Sequence, residues 1–598
     1  MYSDTALLSV IILVPFCCGI AFILLGRDLY EFVRPIALLA SLVALITMVC
    51  LIADIIPSLQ SNATQELNAP HTFKPLAVPG DTGGDTERPT GRTHWDLVPL
   101  NPNSRNTMSI QLYFGIDGLN VWLIALVCLL SPLTIIASWS AIANRIHEYF
   151  GCILILQSLA ICAFLSMDII AFYVFFELTL IPVFFMIGRW GTGPERRNAA
   201  RVFFLYTLAG SLLTFVGILG FVIGIAHFGG TPLTFSIPQL IENAQQLHLR
   251  LAQDPANAQS WSFLQSLFFF LLIVGFLVKT PLVPFHSWLP ITYSEAPTAA
   301  VVFLSAILAK LGTYGFLRVV VPLSPEPMLV YGVSVLGTLA IISIIYGAFC
   351  AYAQTDIKRL IAYSSISHLG FCVLGIVALN QIGLAGALLH MVNHGLTTGA
   401  MFLMAAMIFE RYQSRKMDDY EGLASRMPNF TFYFVVFALA SVGLPGLNNF
   451  VSELLILAGV MSLKTSHSAF TGFSLALAGA AGIVLGAWYT LTLLKRCIFG
   501  QLREPTTGLI ASTDSVQRDL TFRELMVALP LASFCFVLGL FPQPFVDASR
   551  YEVRVIEKIC DDARNRLNPP KVEPATPPTT TPPARPQRPA FPRPKSNQ

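Results

Sequence analysis

Charge is what this chain has least of. Lys, Arg, Asp and Glu make up 12% of its 598 residues, about half of the roughly 25% usual in soluble domains. A water-soluble protein of this length, in one domain or several, would lack the charged surface that keeps it in solution. The formal net charge is only +3, so no electrostatic attraction to nucleic acid follows. The eleven cysteines include no C-x-x-C pair, which leaves no iron–sulfur or zinc framework. Cys17, Cys50, Cys128, Cys162, Cys350, Cys372 and Cys535 instead lie inside apolar runs, where a thiol packs as a small apolar group. No glycine fingerprint for a dinucleotide is present. The first apolar run, from Leu7, has no basic leader and reads as a retained span rather than a signal peptide.

What is abundant is apolar length: 54% of residues are hydrophobic and the mean hydropathy is +0.65. About 20 apolar residues cross a bilayer. Runs of that kind lie near 5–25, 33–56, 118–140, 150–167, 168–188, 202–226, 263–283, 299–320, 328–352, 359–379, 383–409, 431–457, 472–499 and 524–545. The predicted class is all-α, a polytopic membrane protein with about 14 transmembrane helices. The fourth and fifth runs divide at Ser166-Met167-Asp168. An even number of crossings puts both termini on one side. One set of connecting loops carries Arg27, Arg34, Arg145, Arg189, Arg196, Arg197, Arg201, Lys358, Arg359, Arg411, Arg415, Lys416, Arg426, Lys495, Arg496, Arg503, Arg518 and Arg523. The alternate short loops hold little beyond Arg250, Arg318 and Lys464. The basic set faces the cytoplasm or its organellar equivalent, and both termini face out.

The expected organisation is two N-terminal spans (1–56), an external Pro/Gly-rich loop (57–112), a third span (113–149), a first five-helix repeat (150–320), a second (328–500), a last span with a surface helix (501–567) and a Pro-rich disordered tail (568–598). The external loop includes Pro79-Gly80-Asp81-Thr82-Gly83-Gly84-Asp85. The tail reads as extended and solvated. The charged segment 547–567, with Tyr551, Val555 and Ile559, is expected to lie along the membrane surface or against a neighbour.

Several ionisable residues fall where lipid should forbid them. A charge near the bilayer centre costs at least about 2.5–3.5 kcal/mol. Yet Glu177, Lys279, Lys310, His368, His390, His394 and Glu453 all interrupt apolar spans, and His390 and His394 are one helical turn apart. A single such residue could be inert glue between helices. A series of carboxylates, amines and imidazoles over several spans is what a proton relay needs. Burial and neighbouring charge tune the proton affinity of such groups, so separating Lys279 from Glu177 would act as a switch. Two spans are also broken, at Lys279-Thr280-Pro281-Leu282-Val283-Pro284 and at Gly443-Leu444-Pro445-Gly446-Leu447-Asn448-Asn449. Proline removes an N–H and clashes with the preceding turn. Such breaks are tolerated at membrane depth only inside protein or beside a water cavity. Each is close to a titratable residue, Lys279 and Glu453. If spans four to eight and nine to thirteen are two units, the broken helix is fourth in each. A unit with five crossings must insert upside-down relative to its copy, which is the inverted-repeat plan of transporters.

Specific stretches resemble the antiporter-like membrane subunits of respiratory complex I, most closely the chain M (mitochondrial subunit 4) family. They are Phe114-Gly115-Ile116-Asp117-Gly118-Leu119, Phe176-Glu177-Leu178-Thr179-Leu180-Ile181-Pro182, Val278-Lys279 through Phe285-His286-Ser287-Trp288-Leu289-Pro290, Glu295-Ala296-Pro297-Thr298-Ala299, Lys310-Leu311-Gly312-Thr313-Tyr314-Gly315, Tyr363-Ser364-Ser365-Ile366-Ser367-His368, His390-Met391-Val392-Asn393-His394-Gly395, and Leu444-Pro445-Gly446 onward to Glu453. Together they span roughly 114–500. The resemblance implies a proton-translocating membrane-arm subunit of NADH-quinone oxidoreductase. Glu177 would modulate Lys279, Lys310 would link the half-channels, His368 and His394 would continue the axis, and Glu453 would be its terminal site, with His390 and His286 as further members. Most sister subunits carry lysine where Glu453 stands. The resemblance implies no cofactor or metal in this chain, with NADH, FMN, iron–sulfur clusters and quinone in partner subunits. It implies neighbouring antiporter-like chains and lipid as partners. The alternative is a subunit of an Mrp-type Na⁺/H⁺ antiporter or a membrane-bound hydrogenase-like complex. Where the family usually shows Asp-Ala-His, this chain has Ile291-Thr292-Tyr293, which puts any role of that pair in proton uptake in doubt. The style of the loops favours a bacterial plasma membrane over an organelle inner membrane.

Overall fold

The computed structural model describes residues 2–26, 30–65, 72–78, 96–99, 109–464, 471–504 and 519–568. Arg27, Arg518, the Pro79–Asp85 stretch and the Pro-rich tail lie outside them. Among the described residues, twelve helices are long and apolar enough to cross a membrane: Thr5–Leu25, Val33–Gln60, Ile146–Leu165, Ile169–Trp190, Arg196–Gly229, Pro255–Lys279, Thr298–Leu323, Pro325–Tyr352, Ile357–Val377, Gln381–Tyr412, Gly472–Cys497 and Phe522–Leu540. Three shorter apolar helices complete the set. Val121–Ala137 supplies the third crossing. Pro428–Val442 and Asn448–Met461 are the two halves of the twelfth. Fourteen crossings result, as the apolar runs predict.

Local chemistry sets several of the boundaries. The fourth and fifth spans part at Asp168, whose carboxylate accepts hydrogen bonds from the N–H groups of Ile170 and Ala171 at 2.9 and 3.0 Å. A helix start leaves such donors free, and a short acidic side chain satisfies them. Asp356 and Asn380 cap the tenth and eleventh spans in the same way, through Arg359 N and Gly383 N. Thr521 and Glu524 form a reciprocal capping box at the start of the last span.

The seventh span stops at Lys279. Trp288 Nε1 donates to the carbonyl of Val278 at 3.1 Å, and Val283 N donates to Ser343 Oγ at 2.9 Å. Side chains thus satisfy backbone groups that the interrupted helix leaves without a partner. The break in the twelfth span has Gly443 and Gly446 at φ +78° and +92°, a region that glycine enters without cost. Spans four to eight and nine to thirteen number five each, with the broken helix fourth in each.

The structure departs from expectation in five places. The second helix runs on to Gln65, so 57–65 is helical rather than loop. Part of the remaining external segment pairs as a small antiparallel sheet, Asp96–Pro99 with Ser109–Gln111. A helix at Ile237–Leu251 joins the sixth and seventh spans; it is too polar to register as a span. Arg318, expected in a loop, is fully buried inside the eighth span. Finally, the surface helix Arg550–Leu567 buries Tyr551, Val555 and Ile559 within this chain and packs on the ends of the second, eighth, ninth and eleventh spans. Tyr551 donates to Thr72 O, Arg564 to Leu379 O, and Gln381 N donates to Glu557.

Candidate functional site: a polar line through the two repeats

Two clusters of buried polar groups lie in the membrane-spanning body. The first is at the break of the seventh span. Lys279 is buried, and its Nζ stands 4.1 Å from the centre of the Phe176 ring, a cation–π contact. Glu177 is the next residue in the fifth span. Among the described residues, neither Lys279 Nζ nor Glu177 Oε1 has a hydrogen-bond partner, so the two charges are neighbours without being bonded. Lys279 is the last residue of its helix, where the carbonyl end of the helix favours a cation.

The second cluster joins the eighth, tenth, eleventh and twelfth spans. Lys310 Nζ is 2.7 Å from His394 Nδ1 and donates to Ser305 O at 2.5 Å. The ring centre of His394 is 5.2 Å from that of His368, and His368 is 5.5 Å from His390. His368 Nδ1 is 3.7 Å from Glu453 Oε1, and its Nε2 is 3.3 Å from Ser441 Oγ. His390 Nδ1 is 2.9 Å from Ser452 Oγ, which also accepts from Asn393 Nδ2 at 3.1 Å. Asn393 and Asn448 exchange side-chain-to-backbone bonds of 2.7 and 3.2 Å, tying the second break to the eleventh span. Lys310, His390 and His394 have no solvent exposure. Each of these side chains can take or give a proton, or hold a water that does.

Thr280 links the clusters. A Cβ added at Gly312 would meet Thr280 Oγ1 at 2.3 Å and the Thr280 backbone N at 3.0 Å. Glycine at 312 therefore lets the first break lie directly against the helix that carries Lys310. Thr280 Oγ1 is buried without a bond among the described residues. His286 stands apart. It is only half-buried and packs edge-on against Tyr346, ring centres 5.2 Å apart, with no bond to the other seven among the described residues. Seven of the eight residues singled out by sequence thus fall into two adjoining clusters, and His286 lies to one side.

Several polar groups escaped the sequence reading. Ser452 and Asn393 sit within stretches already quoted, but their cross-span bonds have no local signature. Arg318 pairs with Asp117 at 2.7 Å, both with no exposure. The signal was there: Tyr314 and Arg318 follow Lys310 at steps of four on one helical face. On the basic side, Glu295, Lys358, Arg415 and Asp356 form a second group. Arg415 lies 3.4 Å from Asp356 and 3.9 Å from Glu295, and Lys358 Nζ donates to Ala296 O. Tyr293, which stands in the departed motif, is buried between Trp288 and Phe402.

Residues 166–478 match the family model described as NADH:quinone oxidoreductase/Mrp antiporter, TM. Residues 97–188 match that for NADH-ubiquinone oxidoreductase chain 4, amino terminus. NADH-quinone oxidoreductase subunit M of Rhodobacter capsulatus is 36% identical over 74% of this chain and 81% of its own length. NADH-ubiquinone oxidoreductase chain 4 of Marchantia polymorpha is 37% identical over 74% and 82%. Among solved structures, a chain of respiratory complex I from Thermus thermophilus with bound NADH superposes with a TM-score of 0.69 at 26% identity, over 93% of this chain and 99% of that one. A chain of the Mrp complex of a Dietzia species gives 0.70 at 18% identity, over 95% and 100%, a likeness of fold alone.

Proposed function

The chain belongs to the NADH:quinone oxidoreductase/Mrp antiporter transmembrane family, and from that premise we propose that the two polar clusters form one proton pathway. The protein is a multi-pass membrane-arm subunit of an NADH-quinone oxidoreductase and takes part in coupling that enzyme's electron transfer to proton pumping. In our reading NADH, FMN, iron–sulfur clusters and quinone are handled by partner subunits, and this chain answers them through the membrane. Its neighbours are other membrane-arm subunits, antiporter-like chains among them, and its setting is a bacterial plasma membrane.

The observation that carries the pathway is the short contact between Lys310 Nζ and His394 Nδ1, 2.7 Å, in a site without solvent exposure. An ammonium can pass a proton to a neutral imidazole over that distance with little rearrangement. The imidazoles of His368 and His390 then lie on the way to Glu453, with Ser452 bonded to His390. On the other side, Lys279 exchanges with Lys310 through Thr280 and water. The Lys279 ammonium now stands over the Phe176 ring instead of bonded to Glu177. A swing toward Glu177 would hold the proton, and a swing away would release it toward Lys310. Glu177 is therefore the modulating group, Lys279 and Lys310 the exchanging amines, His368, His390 and His394 the central relay, and Glu453 the terminal acid. His286 is at most a contributor to uptake near the first break.

The test is proton translocation by the intact complex in proteoliposomes, driven by NADH and quinone. Lys279→Met, Lys310→Met and Glu453→Gln, made separately, are each expected to abolish acidification while the complex still assembles. Parental pumping in all three would refute the pathway. Sodium-for-proton exchange by vesicles carrying this chain without redox partners would transfer the reading to an antiporter.

A further inference from the structure

We propose that this chain delivers protons to the outer side through Glu552, a carboxylate on its C-terminal surface helix, reached from Lys310 along one face of the eighth span. The proposal rests on the reading above that Lys310 carries a proton. It goes beyond it by naming the release group, in a part of the chain that neither family match reaches.

The first observation is a ladder. Lys310, Tyr314 and Arg318 recur every four residues and so share a helical face, and none has measurable exposure. They run from the centre of the polar line to the outer end of the span at Leu323. Tyr314 is hydrogen-bonded at both ends: its hydroxyl accepts from Arg318 Nε at 2.9 Å and donates to Phe164 O at 2.9 Å.

The second observation is an imbalance of charge at the top of the ladder. Arg318 is always protonated, and its guanidinium is committed to Asp117, with Nη2 2.7 Å from the carboxylate. Asp117 also accepts from the backbone N–H of Leu119 and Asn120. Its charge is thus answered by the Arg318 ion pair, while Asp117 Oδ2 and Arg318 Nη1 each have no hydrogen-bond partner among the described residues. Glu552 arrives from the surface helix and lies against the next residue, Gly118, where an added Cβ would sit 2.4 Å from Glu552 Oε2. Glu552 is 1% exposed, and Oε2 has no hydrogen-bond partner among the described residues. One cation therefore faces two buried carboxylates. Asp117 holds the cation, and Glu552 is left to carry a proton.

The proton affinity agrees with that geometry. Burial, and after it the Asp117 carboxylate, pushes the Glu552 carboxyl up to about 8. A group in that range can both accept and release a proton near neutral pH. The step is a simple transfer. An O–H bond forms on the Glu552 carboxylate as a proton arrives from the ladder through hydroxyl and water. That bond breaks when water on the outer side accepts the proton as hydronium, and the carboxylate is restored. Arg318 gives up no proton; it neutralises Asp117 so that Glu552 is the group that cycles. The surface helix holds Glu552 in place by bonds to the outer loops at Thr72, Leu379 and Gln381.

The experiment compares the parental complex, Glu552→Gln, Glu552→Asp and the control Lys279→Met in proteoliposomes. NADH-driven proton translocation is measured together with the infrared difference spectrum between oxidised and reduced complex. Glu552→Gln keeps the shape and removes the acid. It is expected to assemble, to translocate protons about tenfold or more slowly, since a lost acid–base group typically costs about 10²–10⁴-fold before water substitutes for it, and to lose a carboxylic C=O band. Glu552→Asp should retain the band and much of the rate. Should the Gln variant not assemble, Glu552→Met takes its place. Parental pumping by the acid-less variant while Lys279→Met is inactive would overturn the release route and leave the relay standing. Parental pumping by both would sink the relay, and this proposal with it.

Discussion

Replacing Arg318 with methionine should be among the most damaging single changes in this chain. Methionine fills much of the same space but leaves Asp117 a carboxylate with no exposure. At 2.7 Å and an effective dielectric of about 20, the lost attraction is about 6 kcal/mol. The backbone N–H groups of Leu119 and Asn120 remain to solvate Asp117, and the carboxyl can also take up a proton. Both reduce the net cost, and breaking a buried pair typically costs about 3–5 kcal/mol. That is a large share of the roughly 5–15 kcal/mol that holds a domain folded. Removing both charges is a different matter. In Asp117→Asn with Arg318→Met the amide keeps the local backbone bonds and no bare charge is left. Such double replacements are often neutral, so the pair should show a coupling energy of about 3 kcal/mol. The assay is the amount of assembled complex on native gels, with the midpoint of thermal inactivation of NADH-driven quinone reduction. A single variant that assembles and inactivates like the parent would refute the reasoning. So would a double variant as damaged as Arg318→Met alone.

Three further outcomes can be checked with the same preparations. Lys310→Met should lower proton translocation by about 10²-fold or more with assembly retained, because the lost bonds to Ser305 O and His394 are offset by the removal of a buried charge; loss of assembly would show that the amine is structural. Gly443→Ala and Gly446→Ala both place a side chain at positive φ, a cost of about 1–2 kcal/mol, but only at 443 would the new Cβ meet Glu453 Oε2, at 2.7 Å, while 446 faces open space; both should reduce yield, and only Gly443→Ala should reduce pumping per assembled complex. Protection from hydrogen exchange in 550–567, after the intrinsic pH dependence of amide exchange is divided out, should fall as pH rises toward about 8 and level off above it. Glu552 is neutral whether the helix is docked or detached at low pH, and above the free carboxyl's value of about 4.3 the detached state ionises first, so docking weakens with pH until the docked group ionises too. With Asp117 and Arg318 unchanged, Glu552→Gln should flatten that fall.

The buried ionisable residues proposed as a relay were legible because an ionisable side chain in an apolar run is costly and therefore conspicuous. The breaks were legible because proline and glycine act locally. Other features were hidden for physical reasons. Arg318 lies near the end of its run, where counting basic residues treats it as a loop charge, and its partner Asp117 is 201 residues away. The helix Ile237–Leu251 is amphipathic and too polar for a reading based on apolar length. The apolar face of Arg550–Leu567 was visible in the spacing of Tyr551, Val555 and Ile559, but spacing cannot say what covers it. His286 was drawn in by the motif around it, and only packing shows it turned toward Tyr346. The contact of Thr280 with Gly312 has no local signal at all, since it joins two helices across the bend of the first break.

The eighth span has one more property with a consequence for motion. It is wound as a π-helix at Leu304–Leu308 and again at Phe316–Val320, on either side of the α-helical turns that carry Lys310. A π-turn holds a surplus residue, and such turns gather at functional sites. With such a surplus on each side, the short α-helical piece that carries Lys310 is held by two soft joints, and it can turn while both ends of the span stay anchored, without any sliding of the helix against lipid.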